Sequence, residues 1–505
     1  QLSPILRLNK LPMAGHLNMS KVKYFGTDGI RGTAGVTPMS ADFVKRLGWA
    51  AGSVLSREAA EKPIFLIGRD TRESGPMLKD ALTSGLNAAG AAVIDLGVLP
   101  TPGIATLTHR MKATAGAVIS ASHNPAAENG IKFFSVLGMK LSEDEEAAIE
   151  ALIDSASEVG DAGERQTQTL ADAEDRYVDD LLDAQPNLDL KGLKLLVDCA
   201  NGASYSVAPR VFRQLGATVI PLNVEPDGLN INEEAGSEYT RSAPEAFAGL
   251  IRQHHADVGI AFDGDADRVI LFDDKGRLTD GDHMLAILAD DYHRHGRLLG
   301  NALVTTTMAN GALTAYAQQR GFKMVETPVG DKYVTEALLT LSAQESESGK
   351  TGVGGEQSGH IVLLDEHHRT GDGLRTALEM LRIITQAKRP FSELFDHIQK
   401  FPQLIASCYV GGKPPLESLP ELSKALAKLE EKLPGLVRKN ARYSGTENKF
   451  RLMIETDTRH QPAEVAAVAW EVCDVIQRET HATEGAKIEV LNVAGGGLMP
   501  RPETK

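Results

Sequence analysis

Ser122 is placed where a reactive hydroxyl would be useful. The apolar run AGAVI at 115–119 delivers Ser120-Ala121-Ser122-His123-Asn124 onto a short polar turn that Pro125 closes. The surroundings are not the Gly-x-Ser-x-Gly elbow of acyl hydrolases, so the neighbouring His123 is not expected to act as a triad base. A second group with chemical potential is Asp263-Gly264-Asp265-Ala266-Asp267-Arg268, directly after the apolar run DVGIAF. That order puts three carboxylates on a loop at the carboxyl end of a strand, a favoured site position in α/β sheets. Their alternate spacing can aim all three inward. Hard oxygen donors with no His or Cys among them favour Mg²⁺ over Zn²⁺.

Two other metal-loop readings compete. A calcium EF-hand loop requires Gly at its sixth position and Glu at its twelfth, where this chain has Arg268 and Asp274. An Asp-x-Asp nucleophile of the haloacid-dehalogenase type normally carries Thr or Val where Asp267 stands.

Two further segments are rich in recognition groups. Gly354-Gly355-Glu356-Gln357-Ser358-Gly359-His360 sets a carboxylate, an amide, a hydroxyl and an imidazole among flexible glycines, a set able to grip several sugar hydroxyls. Arg442-Tyr443-Ser444-Gly445-Thr446-Glu447 offers a guanidinium, hydroxyls and a turn at Gly445, which can surround a phosphate with donors; Arg451 adds another cation. Arg31, Lys132 and Lys332 are single cations that composition alone would leave on the surface.

The elements that must position these groups follow an α/β rhythm. Short apolar runs such as IFLIG, AAVIDLG, LKLLVD, RVILF, ALVTT and KMVET alternate with amphipathic segments such as MLKDALTSGLNAAG and PRVFRQLG. VKYFG is the first strand-like segment. An internal echo supports repetition: a strand runs into Ala-Asn-Gly-Ala at 200–203 and again at 309–312. The last hundred residues differ, with the long helical pattern LESLPELSKALAKLEEKL and the strands FRLMIET and KIEVLNV. SASEVGDAGERQTQ and SAQESESGK lack periodicity and are expected to be solvated loops.

Composition narrows the class. A chain of 505 residues, 42% hydrophobic, is too long for one core and implies three or four domains. A formal charge of −15 argues against nucleic-acid binding, which needs clustered cations. Cys199, Cys408 and Cys473 are few, odd in number and far apart, as suits a reducing cytoplasm. No run approaches the roughly 20 apolar residues of a membrane span, and no membrane partner is expected. Residues 1–21, with Met13 and Met19 as candidate starts, read as a tail.

In order and spacing, these four segments, with Gly26-Thr27-Asp28-Gly29-Ile30-Arg31-Gly32, resemble the α-D-phosphohexomutase superfamily, and within it the bacterial phosphoglucosamine mutases, over residues 22–505. The resemblance implies an α/β fold of three similar modules with mixed sheets plus a smaller C-terminal α+β domain, arranged around a central cleft. The expected divisions are a phosphoserine domain at 22–170, a metal domain at 171–276, a sugar domain at 277–397 and a phosphate domain at 398–505.

The resemblance also assigns roles. Ser122 would carry the phosphoryl group and share the metal with Asp263, Asp265 and Asp267. Arg31, His123, Lys132, Arg268 and His360 would complete the catalytic set, and Lys332, Glu356, Ser358, Arg442, Ser444, Gly445, Thr446 and Arg451 would hold substrate. A phosphorylated hexose or hexosamine, foremost glucosamine 6-phosphate, would pass through a 1,6-bisphosphate that also serves as activator. Lys132, with its pKa lowered by nearby cations, and His360 are the expected general bases. The C-terminal domain is expected to move between open and closed states, and the molecule to be a monomer or homodimer. Tyr443 and Asn448 replace prolines usual in the family, and Ala266 replaces a glycine. The alternatives are a glucose or mannose phosphomutase, a Mg²⁺ phosphatase, or a silent sugar-phosphate binder.

Overall fold

The computed structural model describes residues 23–502 apart from 27, 58–60, 156–158, 161–165, 346–348, 395–397, 445–447 and 484. One strand order recurs three times. In the first module Ile64–Arg69 lies between Ala92–Val98 and Ala115–Ile119, both parallel to it, and Glu128–Ser135 follows antiparallel. The second repeats this with Lys194–Asp198 between Thr218–Leu222 and Val258–Phe262, then antiparallel Val269–Phe272. In the third, Leu298–Thr306 lies between Lys323–Thr327 and Thr351–Gly355, with antiparallel Ile361–Leu364 beyond.

Strands covered on both faces read as continuous apolar runs rather than alternating ones. AGAVI and VGIAF, buried at every residue, follow that rule. Because the fourth strand reverses direction, the turn between third and fourth strands always lies at the carboxyl end of the parallel strands. Those turns are residues 120–127, 263–268 and 356–360. The serine, carboxylate and Glu-Gln-Ser segments therefore occupy one structural position in three copies of one module. The Ala-Asn-Gly-Ala echo has the same origin, since each copy joins a central strand to a helix, Val207–Gln214 or Ala312–Arg320.

The last sheet is wholly antiparallel, in the order Leu436–Tyr443, Lys449–Thr456, Gln403–Tyr409, Ile488–Asn492. Helix Pro462–Glu479 covers it through Val465, Ala469, Val472 and Ile476, and the domain keeps its own core. By contrast, one apolar cluster runs from Leu66 and Ile104 through Val197 and Ile260 to Leu303 and Val353, so the three modules share core. The last domain joins them through polar groups. Asn310 donates to the Phe401 carbonyl at 2.9 Å and Arg438 to the Thr307 carbonyl at 2.7 Å, and Gly311 N–H donates to Glu455 at 3.2 Å.

Three local expectations change. Of VKYFG, Val22 lies outside the described residues and residues 23–25 are not a strand, because the Glu150 carboxylate takes the N–H groups of Lys23, Tyr24 and Phe25 at 2.6–2.7 Å; the first strand among the described residues is Ile30–Thr33. The long helical pattern near 416–433 divides into a 3₁₀ turn Leu416–Ser418 and helices Pro420–Ala427 and Leu429–Lys432, as Pro420 has no N–H for a continuous ladder. The polar stretch before residue 170 ends in a short strand, Thr167–Thr169, which pairs with Val93–Asp95. Among the described residues no helix is long and apolar enough to cross a membrane.

Candidate functional site

The carboxylate loop touches both of its equivalents. Gly264 packs so closely on the serine loop that a Cβ there would come within 2.5 Å of the Ser122 carbonyl oxygen. On the other side Val269 N–H donates to the Gly359 carbonyl at 3.1 Å, and a Cβ on Gly359, whose φ is +91°, would lie 2.1 Å from the Val269 oxygen. Three loops from three modules thus meet at one place.

Ser122 is fully buried and adopts a left-handed backbone, φ +53°. Its hydroxyl donates to Asp263 Oδ2 at 2.6 Å across the module boundary. Its N–H donates to Ser120 Oγ at 2.9 Å, and Ser120 in turn donates to Asp70 at 2.6 Å. His123 Nδ1 lies 3.3 Å from Ser122 Oγ and 3.1 Å from Arg268 Nη1. A guanidinium can only donate, so Nδ1 is the acceptor there. Burial and the Arg268 charge push the His123 imidazole down to about 4, which keeps it neutral.

Asp263, Asp265 and Asp267 each offer an oxygen within 4.8 Å of the others, and all three side chains are buried. Asp265 Oδ2 accepts from Thr101 Oγ1 at 2.6 Å and from Lys132 Nζ at 2.8 Å; Lys132 also reaches Asp267 Oδ2 at 3.2 Å. Asp265 Oδ1 and Asp267 Oδ1 are buried without a hydrogen-bond partner among the described residues. Burial, then the Asp267 and Asp265 charges, hold the Asp263 carboxyl well above the usual carboxylate range. Three hard, buried carboxylates, two of whose oxygens have no hydrogen bond, are a donor set that fits a small divalent cation such as Mg²⁺.

The expected bases carry protons instead. Burial alone would lower the Lys132 ammonium, but Asp265, Asp28 and Asp267 hold it well above its ordinary value. The three anions outweigh its cationic neighbour Arg31, and the expected lowering by cations is corrected. His360 is likewise opposed by burial yet pushed up to about 9 by Asp267 and Asp331, with Nδ1 3.7 Å from Asp267 and Nε2 3.4 Å from Asp331. In this charge state both groups donate.

Arg31 pairs with Asp28 and lies 3.5 Å from Asn124 Oδ1, on the rim of the serine loop. In the sugar loop, Glu356 Oε1 accepts from Gly330 N–H at 3.2 Å, and Ser358 is half-buried. Gln357 turns the other way: its amide donates to Asp282 at 2.6 Å and to Gln403 at 2.9 Å, so it links the loop to the last domain. Lys332 starts helix Asp331–Gln344 and lies 3.6 Å from Glu143 of the first module. Arg442 is exposed on its strand and paired in register with Arg451, and Ser444 is buried with its carbonyl accepting from Lys413 at 2.8 Å. Gly445 and Thr446 lie outside the described residues.

Residues 22–160, 175–276 and 280–401 match, in turn, the alpha/beta/alpha domains I, II and III of phosphoglucomutase/phosphomannomutase. A phosphoglucosamine mutase of Aeromonas salmonicida is 46% identical over 449 residues, covering 88% of this chain and 97% of the relative. The chain belongs to the phosphoglucomutase/phosphomannomutase family. Solved structures share its fold: a family protein from Burkholderia thailandensis has a TM-score of 0.70 at 23% identity, covering 92% of this chain and 99% of that one. An Aspergillus fumigatus N-acetylphosphoglucosamine mutase, solved with GlcNAc-6P and magnesium, has a TM-score of 0.63 at 18% identity, covering 92% and 97%.

Several groups around this family site have no signal in their own sequence context. Lys140 bridges modules, with Nζ 2.6 Å from Asp28 and 2.7 Å from Asp331. Glu238, held down to about 2 by Arg241 and Arg268, lies 3.6 Å from Arg268. Asn232 donates to the Ser122 and Asn124 carbonyls at 2.9 and 3.0 Å. What links them to the quoted segments is their partners: Asp28 in GTDGIRG, Arg268 in the carboxylate run, and Ser122 and Asn124 in the serine turn.

Proposed function

We propose that the chain is a phosphoglucosamine mutase, interconverting glucosamine 6-phosphate and glucosamine 1-phosphate through phospho-Ser122 and a 1,6-bisphosphate. The observation that carries this reading is the 2.6 Å bond from the buried Ser122 hydroxyl to Asp263, within a trio of carboxylates. The amino-sugar substrate follows from curated relatives named phosphoglucosamine mutase at 42–46% identity.

Phosphoryl transfer has a loose, charge-rich transition state, so positioning and electrostatics do most of the catalysis. Asp263, Asp265, Asp267 and the Ser122 oxygen would hold Mg²⁺, which supplies neutralising charge to the phosphoryl oxygens. Lys132 and Arg31 face the same oxygens as fixed cations. Arg268 holds His123 neutral and in place beside Ser122, and the protonated His360 donates toward the sugar. Glu356 and Ser358 grip sugar hydroxyls, with Lys332 at the edge of that grip. Arg442, Ser444, Gly445, Thr446 and Arg451 hold the idle phosphate while the bisphosphate turns over. The second transfer restores phospho-Ser122.

The test is turnover of phosphorylated protein with Mg²⁺ and a trace of hexose 1,6-bisphosphate, comparing kcat/KM for glucosamine, glucose and mannose 6-phosphates. Preference for glucosamine 6-phosphate is expected. Preference for glucose or mannose would replace the substrate and keep the site, and free phosphate without any 1-phosphate would mark a phosphatase.

A further inference from the structure

Arg72 belongs to none of the motifs, yet its side chain is completely buried directly behind the serine loop. A guanidinium has five N–H bonds, and here every one is used. Nε donates to Asp70 Oδ2 at 2.9 Å. Nη1 donates to the Pro125 carbonyl and, at 2.9 Å, to the Glu128 carbonyl. Nη2 donates to the carbonyls of Ser122 at 3.0 Å and Asn124 at 2.8 Å. Four backbone oxygens between residues 122 and 128 are thus gathered onto one buried cation.

The gathered carbonyls set the backbone at Ser122. Its φ of +53° is a conformation that costs a residue with a Cβ of order 1 kcal/mol, so surrounding bonds must impose it. In a trans peptide the C=O and the following N–H point in opposite directions. With the Ser122 oxygen drawn to Arg72, the N–H of His123 faces away from it, and among the described residues that N–H has no acceptor. Were the carbonyl to turn instead toward Ser122 Oγ, it would oppose the phosphoryl oxygens.

We propose that Arg72 is a positioning residue for phosphoryl transfer. It fixes the left-handed turn at Ser122, withdraws the loop carbonyls from the reacting oxygens and leaves the His123 N–H as a donor to the phosphoryl group carried by Ser122. The proposal rests on the phosphoserine reading above. Arg72 touches neither substrate nor metal, so its effect belongs to the chemical step. Lysine cannot replace it, having a single ammonium in place of a planar fork.

The experiment compares wild type with Arg72→Lys, with the charge-neutral pair Arg72→Met/Asp70→Asn, and with Asn232→Ala, which removes two donors to the same carbonyls without touching the buried ion pair. Each protein is brought to equal Ser122 phosphorylation by mass spectrometry, then assayed for kcat and KM, melting temperature and the ³¹P resonance of the phosphoserine. The expected result is a fall in kcat of about 10²-fold for both Arg72 variants. Asn232→Ala should show a smaller fall in the same direction. KM should stay within about threefold of wild type, and the ³¹P resonance should shift in each variant. Lowered melting with kcat and ³¹P shift unchanged would overturn the proposal. Failure of every Arg72 variant to fold, with Asn232→Ala indistinguishable from wild type, would do the same. A wild type that is never phosphorylated at Ser122 or makes no 1-phosphate would instead refute the underlying reading.

Discussion

The serine loop and the carboxylate loop are the same turn in two copies of one module, and they are built for opposite ends. Around Ser122 the backbone oxygens are drawn to donors, Arg72 and Asn232, and the reactive group is one hydroxyl. Around Asp263 carboxylates are concentrated, with two of their oxygens buried and lacking a hydrogen bond among the described residues. Neither loop is complete alone, because the hydroxyl finds its acceptor on the other loop and Asp265 finds Lys132 and Thr101 on the first module. The module supplies a place, and the neighbouring module supplies the chemistry.

The sharpest way to break the pairing is to remove the hydroxyl. Ser122→Ala should retain fold and substrate binding while kcat falls by about 10³-fold or more, since the covalent relay is gone; near-normal turnover would refute the assignment. On the other loop, Asp265→Asn should reduce kcat by roughly 10²-fold and raise the Mg²⁺ concentration for half-maximal activity. Wild type should also gain melting temperature on titration with Mg²⁺, by mass action, and this variant should gain less. An unchanged Mg²⁺ titration would place the metal elsewhere.

Gly264→Ala tests the contact itself. The new Cβ would stand 2.5 Å from the Ser122 oxygen and 2.9 Å from Asn232 Nδ2. Prising the loops apart should cost about 1–3 kcal/mol of stability and about tenfold in kcat. Full activity in this variant would show that the loops need not touch.

The smallest effect concerns the frame rather than the loops. His368 bridges Asp180 at 2.7 Å and Asp365 at 3.0 Å, and these bonds outweigh burial to raise it above its ordinary 6.5. A raised histidine stabilises fully below about pH 6.5 and loses that contribution as pH rises through its folded value. The melting-temperature difference between wild type and His368→Gln should therefore be largest near pH 6 and shrink as the pH rises. A constant difference would mean that the imidazole contributes by packing alone.

The four motifs and the α/β rhythm are legible in the sequence because each is local. AGAVI and VGIAF announce buried strands, and a reacting loop comes directly after each run. The sign of the charge around a residue is not local. The expectation for Lys132 is lowering by cations, but folding surrounds it with Asp28, Asp265 and Asp267 from two modules. His360 is reversed for the same reason. Gln357 stands in the segment expected to grip sugar hydroxyls, yet its amide is spent on Asp282 and Gln403. Arg72 is unreadable from sequence because its partners are backbone oxygens and one carboxylate, which no residue pattern records. Residues 23–25 do not form a strand because Glu150, more than a hundred residues later, claims their N–H groups.

Three copies of one module present the same largely buried corner, so a hydroxyl, a carboxylate trio and a Glu-Gln-Ser segment can each occupy one corner without redrawing any sheet. Because the three corners are stitched to each other by side chains, by a backbone bond from Val269 to Gly359 and by close glycine approaches rather than by shared strands, a substitution at one corner can change its groups while every sheet stays as it is.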